Sequence, residues 1–124
     1  MFFARRRWAL RVTERMGLDS RAAETTELVD MILQGAKQLD QQFRSVGQKM
    51  SAPELVLSST AILANNKSAM GRLATNPHIG VHQALVLTAQ AHDAGRALAI
   101  EQGYTEMVAA MYDAEDRVQI QPNR

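Results

Sequence analysis

The chain has 124 residues, 46% hydrophobic and 22% charged, with a formal net charge of +1; that suits one soluble domain with a core of its own. It has no cysteine, which excludes a disulfide framework, a thiolate zinc site, an iron–sulfur cluster and a cysteine nucleophile. No stretch reaches the roughly 18 apolar residues that span a bilayer, and no apolar run follows the first arginines as a secretory signal would require.

The charge is unevenly spread. Residues 1–21 carry six arginines against Glu14 and Asp19, while from Glu101 onward five acids face two arginines. A basic front and an acidic back suggest charge-complementary docking, within the chain or between chains.

The spacing predicts a first helix over about 2–16. Phe2, Trp8, Ala9, Val12 and Met16 share one side, and Arg7, Arg11 and Arg15 the other. The separation is imperfect, because Arg5 falls among the apolar residues and Leu10 among the charged ones. Gly17 is a natural stop.

A second helix is expected over about 20–50, capped by Asp19 or Ser20 with Glu24 and Glu27 near its positive end. Ala22, Thr25, Val29, Ile32, Ala36, Leu39, Phe43, Val46 and Met50 recur at alternating intervals of three and four. Only a helix gathers such positions into one stripe, and the stripe needs a partner helix to cover it. Its flanks hold Leu28, Leu33, Gly35 and Gly47 rather than paired charges, which favours an antiparallel bundle over a free-standing coiled coil. Gly35 and Gly47 either admit a close neighbour or mark bends.

Ser51-Ala52-Pro53-Glu54 has the form of a capping box with proline in the first turn. A third helix is expected from there to about residue 74, with Asn66 on its apolar side. That asparagine is read as a solvent-open edge beside Asn65 and Lys67. Asn76 and Pro77 open a fourth helix, 77–102, whose tightest stripe is Val81, Ala84, Thr88, Ala91, Gly95 and Leu98; small side chains there allow close helix approach. Gly103 ends it. A fifth helix, 105–118, turns Tyr104, Val108, Met111 and Val118 inward, and 119–124 is a polar tail. The expected fold is all-α: an antiparallel bundle of four to five helices forming one domain over 1–124, with residues 1–17 as a basic amphipathic helix.

Motifs for chemistry are sparse. His78 and His82 stand one helical turn apart, but His92 is off that side and no third ligand is apparent. Asn66-Lys67-Ser68 matches a glycosylation sequon, which is read as chance without a secretory signal. No phosphate-binding glycine loop, nucleophile set or helix-turn-helix appears, and adjacent carboxylates such as Glu115 and Asp116 point to different sides of a helix. The expectation is therefore no catalytic residue, no metal and no cofactor.

The candidate binding residues are Arg5, Arg6, Arg7, Trp8, Arg11 and Arg15. They fit an acidic protein partner or a second copy, nucleic acid phosphates, or an anionic membrane surface with Phe2, Phe3 and Trp8 dipping in. The leading expectation is a non-enzymatic protein-interaction module, a subunit, adaptor, chaperone or small regulator of a larger assembly. The alternative is a nucleic-acid-binding regulator using the arginine helix. An intracellular, cytoplasmic setting is the default; the arginine-rich front also has the look of a mitochondrial targeting segment, without its serines.

Overall fold

The computed structural model describes residues 2–113. It is all-helical, and no strand occurs among the described residues. Six helices follow one another: α1 (Phe2–Arg15), α2 (Ala23–Ser45), α3 (Ala52–Leu63), α4 (Lys67–Ala74), α5 (Gly80–Glu101) and a short α6 (Thr105–Met107), which continues as a π-helical turn, Val108–Tyr112. The count exceeds the expected four to five because the third expected helix is two. The expected helix end at 118 and the tail 119–124 lie outside the described residues.

The break between α3 and α4 has a local cause. Asn66 adopts an extended backbone, and its side chain accepts a hydrogen bond from the Ala69 amide at 3.1 Å. It therefore caps a new helix instead of continuing the old one, as asparagine side chains tend to do when they compete with backbone hydrogen bonds. Asn66 is exposed, in keeping with a solvent-open edge.

Other boundaries follow equally local chemistry. The capping box at Ser51 and Glu54 forms in both directions. α2 ends at Ser45, short of the expected residue 50, and Gly47 follows with φ +78°, a left-handed conformation that glycine accepts without a Cβ clash. At its front, Asp19 and Ser20 do not cap α2 by side chain. The Asp19 carbonyl instead accepts the Thr25 hydroxyl at 2.6 Å. α5 begins at Gly80 rather than Pro77, because the Asn76 carboxamide accepts the His78 amide at 2.9 Å and holds residues 76–79 in a turn.

α3 is the hub. Every residue from Leu55 to Ala61 is buried, and α3 packs against α1, α2, α5 and the π-turn. A helix enclosed on all sides must be apolar or satisfied all round. Two of its buried hydroxyls meet that requirement directly: that of Ser59 donates to the Ile32 carbonyl of α2 at 2.7 Å, and that of Thr60 to the Val56 carbonyl at 2.8 Å.

Two glycines admit neighbours into this hub. A Cβ at Gly35 of α2 would fall onto the Ser59 hydroxyl, and one at Gly95 of α5 would fall onto the Tyr112 hydroxyl and the Thr60 methyl. Tyr112 is fully buried in the notch at Gly95 and donates its hydroxyl hydrogen bond to the Leu57 carbonyl. Burial pushes its ionisation well above the usual tyrosine range.

Of the predicted inward set after Gly103, Val108 is buried and Tyr104 and Met111 are half-buried against the core, while Val118 lies outside the described residues; the set missed Tyr112, which is fully buried. A π-turn takes up about one more residue per turn than an α-helix, and the Asp113 amide bonds back five residues to Val108. Position 112 stands four residues from Val108, on its side in either geometry, and the wider turn rotates position 111 further from it.

Candidate interaction surface

α1 lies on the hub with Ala9, Val12 and Thr13 buried, in contact with α2, α3 and α5. This inward stripe at three- and four-residue spacing orients everything else on the helix. Of the six candidate residues, Trp8 packs half-buried against the core, and the five arginines separate into two groups.

Arg5 and Arg15 hold the fold. Arg5 leans inward, its side chain only 15% exposed, and its guanidinium meets the Asp40 carboxylate at 2.8 Å. Asp40 also receives Arg44 at 3.0 Å. The hydrogen bonds from Arg44 and Arg5 keep the Asp40 carboxyl below its ordinary range. Arg15 forms an exposed ion pair with Glu101 at the far end of α5; such pairs contribute at most about 1 kcal/mol.

Arg6, Arg7 and Arg11 face solvent. Among the described residues no carboxylate forms an ion pair with any of them. Arg11 lies 4.4 Å over the ring of the half-buried Trp8, a cation–π contact that holds its guanidinium at the surface. Phe3, 82% exposed, and Leu10 share a shallow open depression with these arginines and Glu14. The surface is thus a ridge of three cations interleaved with apolar side chains.

The imperfect amphipathicity of α1 was the legible signal. Arg5, out of place among apolar residues, is the arginine that pairs inward, and Leu10, out of place among charges, is half-buried, packing against the core while lining the outward depression. The contributions of Asp40 and Glu14 were not readable, since nothing local ties Asp40 to a residue 35 positions earlier.

The other expected stripes are buried only in part. In the α2 stripe Thr25, Val29, Ile32 and Ala36 are buried, but Val46 lies beyond the last residue of α2 and is 69% exposed; in the α5 stripe Ala84, Thr88, Ala91, Gly95 and Leu98 are buried, but Val81, at the start of the helix, is 68% exposed and turns outward. His78 and His82 are both exposed, and no group of three metal-ligating side chains occurs among the described residues. His92 stands apart from that pair, with its ring 5.0 Å from the ring of Tyr112. Among the described residues no helix is long and apolar enough to cross a membrane.

These features define a packed all-helical protein with a cationic, aromatic-tipped ridge on its first helix. No family model, curated protein or solved structure matches the chain, so the ridge is interpreted from its own chemistry.

Proposed function

We propose that this chain is a non-enzymatic helical-bundle binding module, a subunit, adaptor or small regulator, that docks an acidic protein surface through the outward side of α1. One observation carries the reading: Arg6, Arg7 and Arg11 are exposed without ion pairs among the described residues, beside a phenylalanine that is 82% exposed. Folding gains nothing from leaving Phe3 in water, whereas aromatic and arginine side chains are the usual anchors of protein interfaces. Exposed cations would steer the encounter and set its salt dependence.

The same chemistry supports a second reading, a single-stranded nucleic acid held by phosphate contacts and by stacking on Phe3. The test compares the native chain with a Arg6→Glu/Arg7→Glu/Arg11→Glu variant. Proximity cross-linking in cells and affinity capture at two salt concentrations should give a protein set that the variant loses and that salt weakens. Anisotropy with oligonucleotides and flotation with anionic vesicles run beside them. Tight oligonucleotide or vesicle binding that the triple variant abolishes, with no protein lost, would replace the protein reading.

A further inference from the structure

The outward side of α5 differs in kind from that of α1. Residues 73–92 contain no Lys, Arg, Asp or Glu, and α5 spans most of that stretch. Along it Val81, Leu85 and Ala89 are all exposed, Val81 at 68% and Leu85 at 51%. They stand at intervals of four, which places them on one continuous ridge. The opposite side of α5 is already buried through Ala84, Leu87, Ala91 and Leu98. Exposed His82, Gln83 and Gln90 flank this ridge; an apolar ridge opposite a buried side is characteristic of a helix covered on both sides, and depletion of charge marks the centre of protein interfaces.

The geometry points to a second copy of this chain as the cover: we propose that two copies pair through α5, antiparallel and at a shallow angle, about a twofold axis at Leu85. The ridge is self-complementary about that point. Leu85 meets its equivalent, and the bulkier Val81 of each copy lies over the small Ala89 of the other. A twofold repeats every contact, so both halves are satisfied at once.

Charge selects the same register. The next residue on the ridge is Asp93, which is exposed and joins no ion pair among the described residues. Pairing about Leu85 carries Asp93 just past the start of the partner's α5. That start has no acidic residue in its first turn and no side-chain cap at Ile79. A carboxylate there meets the positive end of the helix dipole. From Val81 to Ala89 the ridge offers no formal charge to answer that of an acidic or basic partner. One helix pair of this length buries less than the ~1,200 Å² of a standard interface, so the dimer exchanges with monomer.

The natural absence of cysteine makes the register directly readable. Sedimentation velocity from micromolar to near-millimolar concentration should show a reversible monomer–dimer equilibrium. Leu85→Glu and Ala89→Glu should each remove it while leaving the circular dichroism and Tm unchanged, since both positions are exposed. Asp93→Asn should weaken it about two- to five-fold, the size of a helix-end charge effect, and Asp30→Asn should not. Under mild oxidation Leu85→Cys should form a homodimeric disulfide, because facing positions on a twofold fall within the roughly 4–7 Å Cα separation that a disulfide accepts. Val81→Cys and Ala89→Cys should cross-link to each other when mixed in preference to themselves. A chain that stays monomeric throughout, an association that survives both glutamate variants, or equal cross-linking in all mixtures would overturn the proposal. So would a monomer in which the thiol of Leu85→Cys is shielded from reagent, since another occupant then covers the ridge.

Discussion

α3 and α1 are similar in length and touch each other, yet they are used in opposite ways. In α3 seven consecutive residues, Leu55–Ala61, are buried, and the hydroxyls of Ser59 and Thr60 are bonded to carbonyls of α2 and of α3 itself. In α1 burial falls on Ala9, Val12 and Thr13, and the remaining surface carries charge that the fold only partly uses. A helix enclosed on all sides is constrained at every position. A helix enclosed on one side has residues to spare, and those residues are where binding can be added without cost to folding.

The contrast breaks first on stability. Leu57→Ala, on the hub, should cost about 2–5 kcal/mol, the transfer term plus the cavity left behind. Phe3→Ser on the ridge should change stability by no more than about 0.5 kcal/mol. Urea titration of both variants checks this; similar losses would mean that α1 is as deeply integrated as α3.

A second, smaller effect tests how tightly the hub is closed. Gly95→Ala places a methyl group against the Tyr112 hydroxyl and the Thr60 methyl, and overpacking of this kind costs about 1–3 kcal/mol. Tyr112→Phe removes the atom that the new methyl meets first. It also removes the hydrogen bond to the Leu57 carbonyl, at about 1 kcal/mol. The double variant should therefore be more stable than the sum of the single changes implies, and a thermodynamic cycle reads that coupling directly. Simple additivity would show that Tyr112 does not occupy the Gly95 notch in solution.

How much of this was readable beforehand depends on whether the cause was local. The capping box at Ser51 and Glu54, the stop after α1 at Gly17 and the first half of the α2 stripe, Thr25 to Ala36, rest on neighbours in sequence, and they appear where the residues placed them. The break at Asn66 was also local, but a continuous apolar pattern on either side masked it. Tyr112 follows Val108 at an ordinary helical interval, but the notch at Gly95 that receives it lies on another helix, and only folding brings the two together. The division of the arginines depends on Asp40, which folding alone brings to Arg5. Sequence reading therefore located the basic helix but could not separate its structural cations from its free ones.

Asp40 offers a finer probe of that division. Because hydrogen bonds from Arg44 and Arg5 lower its carboxyl in the folded protein, its contribution to stability is present above the ordinary carboxylate value, 3.8. It is lost as the pH falls from there through the depressed value. Asp40→Asn should flatten the acid limb of the stability profile in that window and leave the ridge's binding intact. An unchanged acid limb would indicate that the Arg5 pair is not held in solution.

A small expected effect on the fold accompanies the largest expected effect on function. Arg6→Ala/Arg7→Ala/Arg11→Ala removes three exposed cations whose only specific contact among the described residues is Arg11 over Trp8. An exposed cation–π contact contributes about 0.5–1 kcal/mol, so the variant's Tm should shift by a few degrees at most. Partner capture should fall steeply and lose its salt dependence, because the charges that steer the encounter are gone. Arg5→Ala should behave in the reverse sense: it unpairs Asp40 and touches stability, while the outward cations remain. If the two variants were to affect folding and capture alike, the line between the inward and outward arginines of α1 would not exist in function, and the ridge would lose its claim as the docking surface.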